Sequence, residues 1–351
     1  MLRALGLGDL LTSVPAMRAV RRAMPDHEIV LAAPPALEPL VRLAGVADRL
    51  LATSGLEPVR WDGPAPDVAV NLHGKGPESH RLLTALGPAD VVAFSCPEAG
   101  VDGPHWDADE HEVLRWCRLV TVAGWPADPA DLRLPSPDRP PAVADAVVVH
   151  PGAASPARRW PAERFAAVAR WAAGKGFPVV LTGNDAERAL ALDICRMAGL
   201  APSAVLAGRT DLAGLAAQVG AARVVVCGDT GVAHLASALG RPSVLLFGPT
   251  PPSRWGPPGT GPHTVIWRGS TVGDPAADLP NPALLRVTVD EVLGEVQALL
   301  RRPALPAAGT TPGSGPGPRR PRPAAPSAAA HEPASCPGGA PSGRPPAAAR
   351  S

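Results

Sequence analysis

Tyrosine is absent from this chain, and aromatic residues are scarce: eight Trp and four Phe in 351 residues. Single-strand nucleic-acid grooves stack bases on aromatic rings set among basic side chains, and that composition is missing, so no nucleic-acid partner is expected. Nor is there an excess of charge. A formal net charge of +1 gives no long-range attraction to a polyanion or an anionic membrane. The five cysteines, Cys96, Cys117, Cys195, Cys227 and Cys336, are odd in number and show no CxxC spacing. That argues against a disulfide framework and against a zinc site. No apolar run approaches the ~20 residues of a membrane-spanning helix. The arginines of the first helix, Arg18, Arg21 and Arg22, follow its apolar part, the reverse of a signal peptide. A cytoplasmic location is expected, with peripheral contact at the inner membrane face left open.

What is present is a repeated alternation of short apolar runs and amphipathic segments, the pattern of an α/β protein with parallel sheets. Residues 2–5 read as the tail of a strand, residues 10–24 as a helix, and residues 28–33 as the next strand. Further strands are expected at 46–51, 67–71 and 91–94, with helices at 37–43, 79–86 and 109–123. Residues 126–141 hold six prolines and read as a linker. Beyond them the alternation resumes, with strands at 147–149, 178–182, 204–206, 224–226 and 243–247. Helices are expected at 161–173, 186–197, 212–219, 232–239 and 289–300. From residue 303 onward the composition is Pro, Ala, Gly, Ser and Arg with Leu305 as the one large apolar residue, which predicts a disordered tail. The expected division is therefore 1–140, 145–301 and 303–351, with a ligand site in the cleft between the first two at the carboxyl ends of their strands.

The stretch 224–250, VVVCGDTGVAHLASALGRPSVLLFGPT, concentrates the chemistry. A buried strand that turns on glycine into a helix presents free backbone N–H groups and the positive end of the helix dipole at one point. Such a point seats a phosphate or diphosphate. Asp229 and Thr230 stand at the cap, where they either satisfy the helix or face a ligand. Asp9, on the loop that opens the first helix, is either a helix cap or a general base facing the cleft. Gly6-x-Gly8 lacks the third glycine of a dinucleotide fingerprint, since position 11 is Leu11, and an NAD-type hydride transfer is disfavoured. Arg158 and Arg159 are forked donors suited to a diphosphate, or else a solvated pair. His234 is either a core histidine or a ligand contact. Gly183 and Glu187 follow a strand, where a base or ribose could be held; Glu187 reads equally as an exposed helix residue.

Taken in order, Gly8-Asp9 before a helix, HPGA at 150–153, RRWP at 158–161, GDTGVAHLASALG at 228–240 and FGPTPPSRWGP at 247–257 resemble glycosyltransferase family 9, the heptosyltransferase-like enzymes. The resemblance covers about residues 1–300. It implies a GT-B architecture, two Rossmann-like domains with parallel sheets facing across a cleft, with the nucleotide-sugar held mainly by the second. It implies that Asp9 is the catalytic base and that Arg158 binds the diphosphate. Asp229, Thr230, Gly231 and His234 would contact sugar and diphosphate, with Gly183 and Glu187 nearer the nucleoside. His73, Lys75, His80 and Arg81 fall on the acceptor side, and the last helix would pack back on the first domain. The implied activity is inverting transfer of a heptose or similar sugar from an ADP-heptose-like donor to a glycan or glycolipid by a monomer, with no metal and no cofactor. A non-catalytic nucleotide-sugar binder and a GT-B epimerase are the alternatives.

Overall fold

The computed structural model describes residues 1–301; the expected tail at 303–351 lies outside the described residues. The first half runs α1 (Leu7–Ala23), β1 (Val30–Ala33), α2 (Glu38–Ala44), β2 (Arg49–Ala52) and β3 (Val68–Val70). It continues with α3 (Glu78–Thr84), β4 (Asp90–Val92) and α4 (Glu112–Val122). The second half runs β5 (Val147–His150), α5 (Ala162–Gly174), β6 (Val179–Leu181), α6 (Arg188–Ala198), α7 (Leu212–Gly220) and β7 (Val224–Gly228). After it come α8 (Gly231–Ala238), β8 (Ser243–Phe247), α9 (Pro252–Trp255), β9 (His263–Trp267), α10 (Pro282–Arg286) and α11 (Val289–Leu300).

In the first half β1 pairs in parallel with β2, and β3 with β4. The opening residues join these two ladders. Leu2 bridges both Ala32 and Asn71, its N–H donating to the Val70 carbonyl and its carbonyl accepting from Leu72 N–H. The strand tail expected at residues 2–5 is reduced to Leu2, bridged on both sides, and it holds the central position between the two ladders. The second half holds a five-stranded parallel sheet in the order β6-β5-β7-β8-β9. Its three middle strands are buried at every position, as sheets covered by helices on both faces require. The strand expected at 204–206 is reduced to one bridge, Val205 to Leu181, behind a 3-10 turn at Pro202–Ala204.

The expected packing of α11 on the first half is corrected by the structure. Its apolar stripe, Val292, Val296 and Leu299, is buried with Phe165, Val226 and Leu246 of the second half, and the helix lies on α5, β7 and β8. Thr288 caps it: its hydroxyl accepts from Glu291 N–H, and the Glu291 carboxylate accepts in return from Thr288 N–H. Such a capping box stabilises the first turn.

The two halves meet along α1 and α8, and one hydrophobic cluster runs through both, from Leu10, Val14 and Met17 to Val232, Leu235 and Leu239. The approach is set by glycine. A Cβ on Gly231 would lie 2.8 Å from Leu7 Cβ, and one on Gly8 would lie 2.9 Å from His234 Cδ2. No side chain larger than hydrogen fits at that spacing. Replacing Gly231 by alanine should therefore force α1 and α8 apart and destabilise the fold by about 1–3 kcal/mol, the usual cost of overpacking. Urea unfolding reads this as a lower midpoint with an unchanged slope; an unshifted midpoint would show that the contact yields freely.

Candidate active site

Because α1 and α8 cross through their first turns, their N-terminal ends lie side by side. Each end carries the positive pole of its dipole, and together they form one place where anionic groups are favoured. Each also carries one of the carboxylates singled out from the sequence.

Asp9 occupies the third position of α1 and is partly exposed, at 29 %. Its Oδ2 accepts from Gly6 N–H at 3.1 Å, and its Oδ1 stands 3.4 Å from the Arg3 guanidinium. Asp9 thus closes the helix end while keeping one face toward solvent, so the cap reading and the base reading are compatible in one geometry. His73 stands in the same electrostatic neighbourhood. Its Nδ1 accepts from Ala4 N–H at 3.2 Å, which places its proton on Nε2. Burial lowers its pKa, assisted by the charge of Arg3 and opposed by that of Asp9.

Across the contact, β7 delivers Asp229 and Thr230 to the start of α8. Thr230 occupies the N-cap position, but its side chain makes no cap hydrogen bond. Asp229 is buried and pairs with Arg158, whose guanidinium donates to Oδ2 at 2.9 Å and also to the Asp229 carbonyl. The pair is incomplete. Asp229 Oδ1 and Arg158 Nε are both buried without a hydrogen-bond partner among the described residues. Unpaired buried polar atoms are costly, and here they occur together at a helix N-terminus. His234 lies one turn into α8 with its ring edge-on to Trp255, centroids 5.7 Å apart. Burial lowers its pKa, with the charge of Asp229 opposing, so the ring is neutral at pH 7.

The loops after β5 and β6 carry the residues expected nearer the nucleoside. Gly152 leaves room for Glu187: a Cβ there would lie 2.0 Å from Glu187 Oε1. Gly183 stands against the same side chain, 3.1 Å from its Cβ by the same construction. Glu187 is held in place by Asn184, whose N–H donates to Oε2 at 2.9 Å while its side-chain oxygen accepts from Glu187 N–H. The charge of Glu187 also reaches His150, whose pKa burial lowers and Glu187 partly restores.

Other expected residues stand elsewhere. Arg159 is not a second fork into the site: Nε and Nη2 both donate to the Ala153 carbonyl, so it braces its own loop. His80 is corrected to a structural role. It faces inward from α3 with Ser79 and Leu83 and is fully buried. Nδ1 accepts from the Asn71 amide at 3.0 Å and Nε2 donates to the Phe94 carbonyl at 2.7 Å, leaving neither nitrogen for an acceptor. Lys75 is exposed, and Arg81, also exposed, donates to the Glu98 carbonyl.

The sequence reading passed over a group that touches Asp9 directly. Arg3, exposed by only 1 %, donates through Nε to the Asp9 carbonyl at 2.9 Å and through Nη2 to Glu112 Oε1 at 2.9 Å. Glu112 also accepts from Trp116 Nε1 at 2.8 Å and pairs with Arg115. One residue earlier, His111 Nε2 donates to the Gly256 carbonyl at 3.0 Å, and Asp109 pairs with Arg254. The first turn of α4 therefore reaches both the Asp9 side and the segment that sets Trp255 on His234. The available signal was an arginine inside an apolar strand, which demands a buried acid somewhere in the fold. Among the described residues no group of three or more His, Cys, Asp and Glu is placed to hold a metal ion.

Four histidines, His73, His150, His234 and His263, have lowered pKa values, that of His263 down to about 4, with burial the largest cause in each. In the unfolded chain an imidazole titrates near ~6.5. Between that value and the folded ones the unfolded state binds more protons, so stability falls as pH drops. Urea midpoints should be lower near pH 5 than near pH 7.5; equal midpoints would show that these rings are not buried neutral.

Residues 101–271 match the sequence model of glycosyltransferase family 9 (heptosyltransferase). That segment contains α4 through β9 and hence Arg158, Asp229 and His234, while Asp9 precedes it. No curated protein matches the chain in a search by similarity. Among solved structures, E. coli ADP-heptose lps heptosyltransferase II aligns with a TM-score of 0.68 at 21% identity, over 85% of this chain and 97% of its own. The glycosyl transferase family 9 protein of Veillonella parvula aligns at 0.69 and 18%, over 85% and 95%. The E. coli heptosyltransferase WaaC with ADP aligns at 0.63 and 20%, over 85% and 98%. At these identities the likeness is one of fold, and the fold is GT-B. The sequence match adds to the fold: residues 101–271 are similar to glycosyltransferase family 9, and the chain is a glycosyltransferase.

Proposed function

We propose that this glycosyltransferase moves a heptose or similar sugar, with inversion, from a nucleoside diphosphate donor of the ADP-heptose kind to a hydroxyl of a glycan or glycolipid. The observation that carries the reading is the meeting of two helix N-termini with different equipment. One presents a partly exposed carboxylate, Asp9. The other presents an uncapped turn beside the half-satisfied Arg158–Asp229 pair. WaaC, whose structure holds ADP, supports an adenosine diphosphate leaving group.

In this reading Asp9 accepts the proton of the acceptor hydroxyl as that oxygen attacks the anomeric carbon. The bond to the diphosphate oxygen breaks in line, which inverts the centre. Charge then builds on the departing diphosphate. Arg158 and the backbone N–H groups at Thr230 and Gly231 are fixed donors aimed at that charge, so they stabilise it without reorganising. Neutral His234 offers a ring nitrogen to a sugar hydroxyl or phosphate oxygen. Glu187, accepting at a carboxylate, suits ribose hydroxyls, with Gly183 allowing close approach. His73, Lys75 and Arg81 remain the acceptor-side candidates. Residues 1–140 serve the acceptor and 145–301 the donor, in a monomer working in the cytoplasm or at the inner membrane face.

Asp9→Asn keeps the size and the bond to Gly6 N–H but removes the base. Transfer should drop by about 10²–10⁴-fold, the usual contribution of general-base catalysis, with donor affinity near that of wild type. Wild-type turnover in this variant would overturn the base assignment. Arg158→Ala should instead weaken the binding of ADP, read by the loss of its thermal-shift stabilisation. Donor binding by wild type without transfer to any acceptor would favour a non-catalytic binder, and release of epimerised donor without an acceptor would favour an epimerase.

A further inference from the structure

We infer that Arg3 is a positioning residue for Asp9, held in place by Glu112, and that this buried pair links the base to the donor side through the first turn of α4. The inference rests on the reading of Asp9 as the base and deepens it.

The geometry is specific. Arg3 lies in the central opening segment of the first sheet, where Leu2 and Ala4 are buried on either side. An arginine there is expensive to desolvate and persists only with full pairing. Its donors are distributed over three parts of the chain. Nη1 donates to the Leu72 carbonyl, Nε to the Asp9 carbonyl, and Nη2 to Glu112 Oε1 while facing Asp9 Oδ1. Its plane also lies over the Trp116 ring, 4.7 Å from the centroid. Two contacts therefore grip the same residue, one by its backbone and one by its side chain. With Gly6 N–H on Oδ2, the carboxylate is left little rotational freedom.

The other end of the device is equally fixed. Glu112 is buried at 4 % and accepts from Arg3, Arg115 and Trp116 at once. It sits at the first position of α4, directly after His111, which donates to Gly256. Gly256 adjoins Trp255, the residue packed on His234. A shift of α4 relative to the first sheet would move Asp9 through Arg3 and Trp255 through Gly256 together. A lysine cannot replace this arginine in full, because an ammonium has no planar fork to serve backbone and carboxylates simultaneously.

The test compares wild type with Arg3→Lys and Arg3→Gln in transfer kinetics, ADP binding and amide hydrogen exchange. Arg3→Gln should lower kcat by about 10–100-fold, the scale of a misplaced catalytic group, with donor KM within about twofold of wild type. Arg3→Lys should recover part of the loss. Exchange should rise in the peptide spanning residues 6–10 and stay unchanged across residues 224–237. Unchanged kcat in folded variants, or a rise in donor KM alone, would overturn the inference. So would exchange that rises evenly along the chain. Should wild type transfer to no acceptor, the transferase reading falls, while the exchange at residues 6–10 still decides whether Arg3 holds Asp9. Should Arg3→Gln not fold, Arg3→Lys decides: full wild-type kcat with unchanged exchange overturns the inference.

Discussion

The close crossing of α1 and α8 at Gly8 and Gly231 is the constraint on which the rest depends. Gly231 faces Leu7 and Gly8 faces His234, so at each contact one helix presents no Cβ, and the crossing falls in the first turn of both. Two consequences come from that single fact. The apolar flanks, Leu10 and Val14 on one helix and Val232 and Leu235 on the other, merge into one core shared by the two halves. The two N-terminal dipole ends are brought together as well, which creates an electropositive point without a large net positive charge in the chain. In the proposed reading a chain of net charge +1 holds a diphosphate because the favourable charge is local and supplied in part by backbone.

Around that point the polar groups divide into two kinds. On the first half they are densely paired: Arg3, Glu112 and Trp116 satisfy one another in a buried network, which Arg115 joins with only its Nε left without a partner. On the second half they are left partly open, since Arg158 Nε and Asp229 Oδ1 have no partner among the described residues. Dense pairing gives rigidity, which the proposed base would need to meet a hydroxyl in a defined geometry. Incomplete pairing reserves hydrogen-bonding capacity for a group that arrives from outside. The same distinction separates Arg158 from Arg159, adjacent in sequence: one faces Asp229 and the other is consumed by the Ala153 carbonyl.

Much of the α/β alternation was legible. Central parallel strands are buried on both faces and so appear as unbroken apolar runs, and β8 at Ser243–Phe247 was read with its observed bounds. β9 was missed because it is an edge strand. His263, Thr264 and Val265 are only partly buried, and its sequence HTVIW carries no continuous apolar signal. α9 and α10 span only four and five residues, too short to show a helical period. His80 was misread for a related reason. Polarity suggested a surface or a site, whereas a ring with both nitrogens paired is at home in a core.

The sequence by itself determined what acts over short range: strand and helix types, the glycine turn before α8, and the order of motifs that resembles glycosyltransferase family 9. Those depend on neighbours a few residues apart, through side-chain periodicity and backbone sterics. Only the tertiary structure decided how Asp9 is held, because Arg3, which grips it, is paired with Glu112, 109 residues from Arg3 along the chain. It alone decided that Thr230 leaves its helix uncapped and that α11 stays with the second half. Such facts are settled by burial, which makes an unpaired charge costly and so selects, among all distant carboxylates, the one that the fold carries to it.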